Sequence, residues 1–141
     1  MGLLKDSDKE AIKSRFEDLK NDIKIINFTQ SIECTYCSET RSLLEEVTAL
    51  SDKISLEVFD FVTDEDKVKE FNIDKIPATV VMGEKDYGIR YYGIPSGYEF
   101  SSLLEDIQMI SSGDSGLAQE TKDTLNTLKD PMHLQVYVTP T

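Results

Sequence analysis

The only two cysteines of the chain, Cys34 and Cys37, stand two residues apart in SIECTYCSET. Sulfur at this spacing can do two kinds of chemistry. Two thiols one helical turn apart can close a disulfide and exchange it with another. They can also supply half of a tetrahedral metal site. The metal reading is short of ligands, because a structural zinc site takes four Cys or His and the chain offers one distant histidine, His133. A site shared between two chains could still reach four. No sequence feature brings His133 to the cysteines as a base, and it reads as an exposed residue. The expectation is a redox pair, with no metal and no cofactor.

The pair needs elements to hold it. The stretch IKIINFT (23–29) just before it is short, apolar and β-branched, fit for a buried strand. CSETRSLLEEVTAL just after it is helical, with Leu43, Leu44, Val47 and Leu50 on one face. A strand–Cys-x-x-Cys–helix arrangement puts the first cysteine at the helix start. Unpaired N–H groups and the helix dipole favour thiolate there. Cys34 is then the attacking nucleophile and Cys37, one turn deeper, the resolving thiol. Glu33 and Glu39 flank the pair and oppose thiolate by like-charge repulsion, which Arg41 could offset.

The rest of the chain supplies a frame. SDKEAIKSRFEDLK reads as a first helix, with Ser7 as N-cap, Glu10 at capping-box spacing, and Ile12, Phe16 and Leu19 facing inward. ISLEVFDFV (54–62) is a strand and DEDKVKEFNI a short helix. Two β-rich runs, 79–82 and 88–92, flank the turn-like GEKD and make an antiparallel hairpin. SGYEFSSLLEDIQMI closes the unit as a helix. The order αβαβαββα implies a four-stranded mixed sheet with helices on both faces. Pro77, in KIPATVV, precedes an apolar strand, and X-Pro is the peptide bond for which cis costs least.

Composition narrows the partners. With 141 residues, 39% hydrophobic, the chain can pack one ordinary core. Its net charge of −12 repels phosphate backbones and anionic lipid, which argues against nucleic-acid and membrane partners. No apolar run reaches the ~20 residues of a membrane helix, and the N-terminus lacks a signal core. A cytoplasmic protein is expected. There, a close cysteine pair is more often catalytic or metal-binding than a structural staple.

The C-terminal stretch has a different organisation. SSGDSG (111–116) has linker composition. LAQETKDTLNTLKDPMHLQVYVTPT beyond it reads as a further helix and strand that echo the chain's opening: Leu125, Leu128 and Lys129 repeat the spacing of Phe16, Leu19 and Lys20. Residues 1–112 are expected to form one domain, and 113–141 the first helix and strand of a second, truncated unit. A strand at 134–139 without its own sheet would need a partner, on the first unit's edge or on a second copy in a dimer.

Taken together, CTYC, the VFDF strand, IPAT and YGIRYYGIPSGYEFSSLLEDI resemble the glutaredoxin-like protein disulfide oxidoreductases, a tandem thioredoxin-fold family. The resemblance runs over most of the chain. It implies a thioredoxin-like α/β fold and a protein disulfide oxidoreductase, an enzyme acting on protein disulfides, with a thioredoxin-reductase-like flavoprotein as electron partner. It also implies site residues: Cys34 and Cys37 as the redox pair, Thr35 and Tyr36 between them, Pro77 as a cis proline, Ile76 as the backbone that pairs with an extended substrate, and Gly93 as the residue leaving room beside it. Two departures stand out. Glu33 occupies the place of the thioredoxin Trp, and Phe28 that of a buried proton-moving Asp. Two other functions fit the same residues: a dedicated electron carrier between a flavin-dependent reductase and a peroxidase, and a thioredoxin-fold binding module with an idle pair.

Overall fold

A computed structural model describes residues 2–139. Four strands, β1 (Ile23–Thr29), β2 (Ile54–Asp60), β3 (Ala78–Met82) and β4 (Ile89–Tyr92), form one sheet in the order β2-β1-β3-β4. β1 pairs parallel with β2 and antiparallel with β3, and β3 pairs antiparallel with β4. The expected mixed sheet is present. The described residues also form five helices, α1 (Asp6–Phe16), α2 (Cys37–Thr48), α3 (Glu65–Glu70), α4 (Tyr98–Ser112) and α5 (Gln119–Leu125), of which α5 buries no residue.

The central strands follow from their residues. β1 and β3 have neighbours on both sides and helices over both faces, so nearly every residue is buried. Strand alternation divides them between two cores. Ile23, Ile25 and Val81 pack with α1, α2 and α4 through Phe16, Leu44, Val47, Leu103 and Ile107. Ile26, Phe28, Ala78 and Val80 pack on the other face with Phe71 and Ile73 beside α3. Parallel pairing of β1 and β2 requires α2 to carry the chain back along the sheet. The Cys37 end of α2 therefore lies where β1 ends.

Several boundaries differ from expectation for local physical reasons. Ser7 does not cap α1: the helix starts at Asp6, Lys5 is the N-cap without a side-chain bond, and the Ser7 hydroxyl turns to Asp8. The Glu46 carboxylate of α2 instead accepts the N–H groups of Leu3 and Leu4 and pairs with Lys9. Those bonds, led by the one from Leu3, hold its pKa below the ordinary value. β2 stops at Asp60 rather than running to Val62, because the Asp60 carboxylate accepts the N–H groups of Val62 (2.9 Å) and Thr63 (3.0 Å) and bends the chain.

Ser111 is not a linker residue. It is buried in the last turn of α4, where its hydroxyl accepts the N–H groups of Lys20 (2.8 Å) and Asn21 (3.0 Å) and donates to the Asn21 carbonyl. The linker begins at Gly113, which ends α4 in the left-handed conformation at φ 71°.

The expected strand at 134–139 is absent from the described residues. Residues 131–139 carry no regular structure, and Leu134, Val136, Tyr137 and Val138 are exposed. A strand without a ladder partner gives its backbone groups to water. Pro140 and Thr141, which complete VYVTPT, lie outside the described residues. No helix among the described residues is long and apolar enough to cross a membrane.

Candidate redox site

The site occupies the end of the sheet where β1 finishes. Phe28, Ala78 and Tyr92 are aligned across β1, β3 and β4. One residue further along that edge come Thr29, Pro77 and Gly93. The link 30–36 leaves Thr29 there and delivers the chain to α2. Cys34 and Cys37 form a disulfide with their Cα atoms 5.5 Å apart. Cys34 is partly exposed, whereas Cys37 is only 2% exposed.

Cys34 does not sit at the helix start. α2 begins at Cys37, Tyr36 is its N-cap, and Cys34 lies in the turn ahead. Tyr36 offers no side-chain cap, so the first N–H groups of α2 have no side-chain acceptor from that residue. Those groups and the positive helix end face the turn that carries Cys34. Thr35 and Tyr36 are both exposed beside it.

Glu33, just before Cys34, takes φ 57°, a left-handed conformation that side chains other than glycine rarely adopt. It is exposed, as is Glu39. Arg41 does not offset them. Its Nε lies 2.8 Å from Glu45, the i,i+4 partner one turn deeper in α2.

The Ile76–Pro77 peptide is cis, Pro77 is buried and Ile76 is half-buried. The Pro77 carbonyl accepts the Gly93 N–H at 2.9 Å, tying those two expected positions together. Gly93 has φ 86° and open space where a Cβ would stand. The Lys75 ammonium lies 5.2 Å from the centre of the Tyr92 ring and pairs with Asp74, whose hydrogen bond raises the Lys75 pKa. His133 lies in the exposed C-terminal segment.

Phe28 is fully buried against Phe59 and Phe71, on the sheet face that carries α3. No proton-moving group stands at its position. Sequence reasoning missed three other residues at this end of the molecule. Asn27, Thr40 and Thr79 are fully buried, and Asn27 Oδ1, Thr40 Oγ1 and Thr79 Oγ1 have no hydrogen-bond partner. Each is a polar residue in an apolar-periodic position, and that was the available signal.

The thioredoxin domain family matches residues 21–105, from just before β1 into α4. The alkyl hydroperoxide reductase AhpF of Xanthomonas campestris pv. phaseoli is 28% identical over 99 residues, covering 70% of this chain and 17% of that protein. The chain spans less than a quarter of the length of the curated relatives it matches. Among solved structures, a protein disulfide oxidoreductase from Aeropyrum pernix superposes with a TM-score of 0.79 at 26% identity, covering 89% of this chain and 55% of that one. The NTD_N/C domain of alkylhydroperoxide reductase AhpF from Enterococcus faecalis superposes with a TM-score of 0.80 at 25% identity, covering 89% and 61%. The matched stretch takes in the whole sheet, the cysteine pair and the cis proline, and on that basis the chain belongs to the thioredoxin domain family, related to the N-terminal domains of AhpF and to the archaeal protein disulfide oxidoreductase.

Proposed function

We propose that the chain is a thiol–disulfide oxidoreductase acting on protein disulfides, with Cys34 as nucleophile and Cys37 as resolving thiol. The observation that carries this reading is the asymmetry of the pair. Cys34 is partly exposed ahead of a helix N-terminus without a side-chain cap, and Cys37 is buried in the first turn of that helix. A thiolate at Cys34 attacks a substrate disulfide, forming a mixed disulfide and releasing one substrate thiolate. Cys37 then attacks Cys34 Sγ, the mixed disulfide breaks, and the second substrate thiol leaves. Two electrons pass to the substrate and the pair ends as the disulfide.

Ile76, Pro77 and Gly93 form the binding edge in this proposal. The Ile76 backbone pairs with an extended substrate segment, and Gly93 leaves the space beside it. Thr35 and Tyr36 are the exposed contacts between the sulfurs. Residues 1–112 are the working unit. Residues 113–141 are the opening of a further unit, which α5 supports.

The alkyl hydroperoxide reductase relatives favour a second reading, a dedicated carrier of electrons from a flavin-dependent reductase to a peroxidase. Reduction of an insulin-type protein disulfide by dithiothreitol separates the readings. The chain should accelerate it, and Cys34→Ser should return it to background. Wild-type activity equal to that of Cys34→Ser would overturn protein disulfide exchange. Turnover with one peroxidase and none with general disulfides would favour the carrier. A Cys34 thiol whose alkylation follows a pKa above about 8.5 would favour an idle binding module.

A further inference from the structure

Resolution poses a proton problem that the cysteine pair and its binding edge leave unanswered. Cys37 is buried, and burial disfavours a thiolate. Yet its sulfur must carry charge as it attacks Cys34. The charged groups around it are committed elsewhere. Glu33 and Glu39 are exposed, and Arg41 is held by Glu45. β3 carries no charged residue. On β2, Glu57 pairs with Lys24 of β1, and Asp60 holds the backbone at Val62 and Thr63, bonds that keep its pKa low. On α4, Glu99 and Glu105 are exposed and Asp106 accepts the Tyr91 hydroxyl.

What does stand on this face is a set of unused polar atoms. By alternation, Asn27 and Thr79 share the face of Ile23, Ile25 and Val81, where α2 packs on β1 and α4 on β3. They are directly opposed in the β1–β3 register. Thr40 is buried one turn along α2 from Cys37, about 4.5 Å further down the helix axis. Asn27 is two residues from the end of β1 at which that turn sits. The Asn27 amide nitrogen donates to the Ala78 carbonyl at 3.1 Å, and its oxygen is the atom left without a partner. Two free hydroxyls can donate and one free carbonyl can accept. A thiol matches this set, because it can give a hydrogen bond to the carbonyl and take one from the hydroxyls. Leaving such atoms buried and unpaired is costly. In the disulfide, Cys37 has no S–H to offer.

We propose that Asn27, Thr40 and Thr79 form a polar pocket that receives the Cys37 sulfur when the disulfide opens. They are positioning residues for the resolving step. Asn27 Oδ1 accepts a hydrogen bond from the Cys37 S–H, and the Thr40 and Thr79 hydroxyls donate to the sulfur as it ionises. In that step the Cys37–Cys34 S–S bond forms and the bond from Cys34 to the substrate sulfur breaks. The Cys37 proton ends, through solvent, on the departing substrate thiolate. This rests on the dithiol reading of the pair.

The test mixes reduced protein rapidly with 5,5′-dithiobis(2-nitrobenzoate). The first thionitrobenzoate reports attack by Cys34, and the second reports resolution by Cys37. In Thr40→Val and Thr79→Val the ratio of second to first rate should fall about tenfold at pH 7, with the pH profile of the second phase moved up by about one unit. Serine at either position should restore both. The same Val variants should raise the Tm of the oxidised form by about 4 °C and lower that of the reduced form, because an orphaned hydroxyl is removed from one and a bonded hydroxyl from the other. A rate ratio and pH profile equal to wild type, or equal Tm changes in both redox forms, would overturn the pocket. A wild-type chain that releases a single thionitrobenzoate would instead overturn the dithiol reading, and the pocket with it.

Discussion

Glu33 combines two liabilities at one position, and they can be separated. Its left-handed backbone costs an L-residue about 1–2 kcal/mol. Its carboxylate precedes the sulfur that must ionise. Glu33→Gly should remove both, and Glu33→Gln only the charge. Glycine gives back about 0.4–1 kcal/mol through a freer unfolded chain, so a net gain of about 0.5 kcal/mol is expected in urea unfolding. The Gln variant should show no such gain. Both should lower the pH at which Cys34 alkylates, because a like charge opposing the thiolate is gone. A Gly variant less stable than wild type would show that the Glu33 side chain is held by contacts worth more than its strain. The cysteine pair was legible in the sequence because its spacing is local, whereas the cis state of Pro77 was legible only through the family resemblance. The conformation of Glu33 was not legible, since a left-handed Glu is imposed by the link between a fixed strand and a fixed helix. Nor was the Arg41–Glu45 pair preferred over an Arg41 contact with the active-site acids, although i,i+4 spacing on α2 allowed it.

At the scale of elements, periodicity was read correctly wherever burial dominates. The stripe Leu43, Leu44 and Val47 of α2 and the buried run of β1 were visible because tertiary packing agrees with local pattern there. Element ends were read less well, because their partners are remote. Ser111 has the composition of a linker and the function of a clamp, and its partners lie 90 and 91 residues away in sequence. Ser111→Ala should therefore cost about 1–3 kcal/mol, the range for leaving part-buried donors without an acceptor. The measurement is urea unfolding, with the denaturant slope unchanged because the core stays intact. The neighbouring Ser112→Ala should cost much less, since that hydroxyl bonds only within its own helix end. Equal small losses at 111 and 112 would mean that the Lys20 and Asn21 N–H groups find water instead.

The molecule as a whole divides by burial rather than by secondary structure. The hydrophobic cores close with Ile110, and no described residue after Ser111 is buried. Beyond that point α5 leaves Leu125 exposed, and Leu128, Met132, Leu134, Val136, Tyr137 and Val138 follow it into solvent. Among the described residues, no side chain of this segment is buried against the domain. Lys122 pairs with Asp114 of the linker at 2.6 Å, a contact inside the segment itself, and Val138 and Thr139 line a cavity with Ile94, Ser96, Tyr98 and Glu99 of the domain. An exposed ion pair of this kind is screened by solvent and adds little. Ending the chain after Gly116 should therefore change stability by less than about 1 kcal/mol and leave the Cys34 and Cys37 rates alone. Solution behaviour should change more. Contiguous exposed apolar side chains promote association, so the full chain should sediment with a concentration-dependent mass that the shortened chain loses. A large loss of stability on shortening would show that residues 117–139 belong to the folding unit. Equal and constant masses for both chains would remove the basis for a dimer built on this segment.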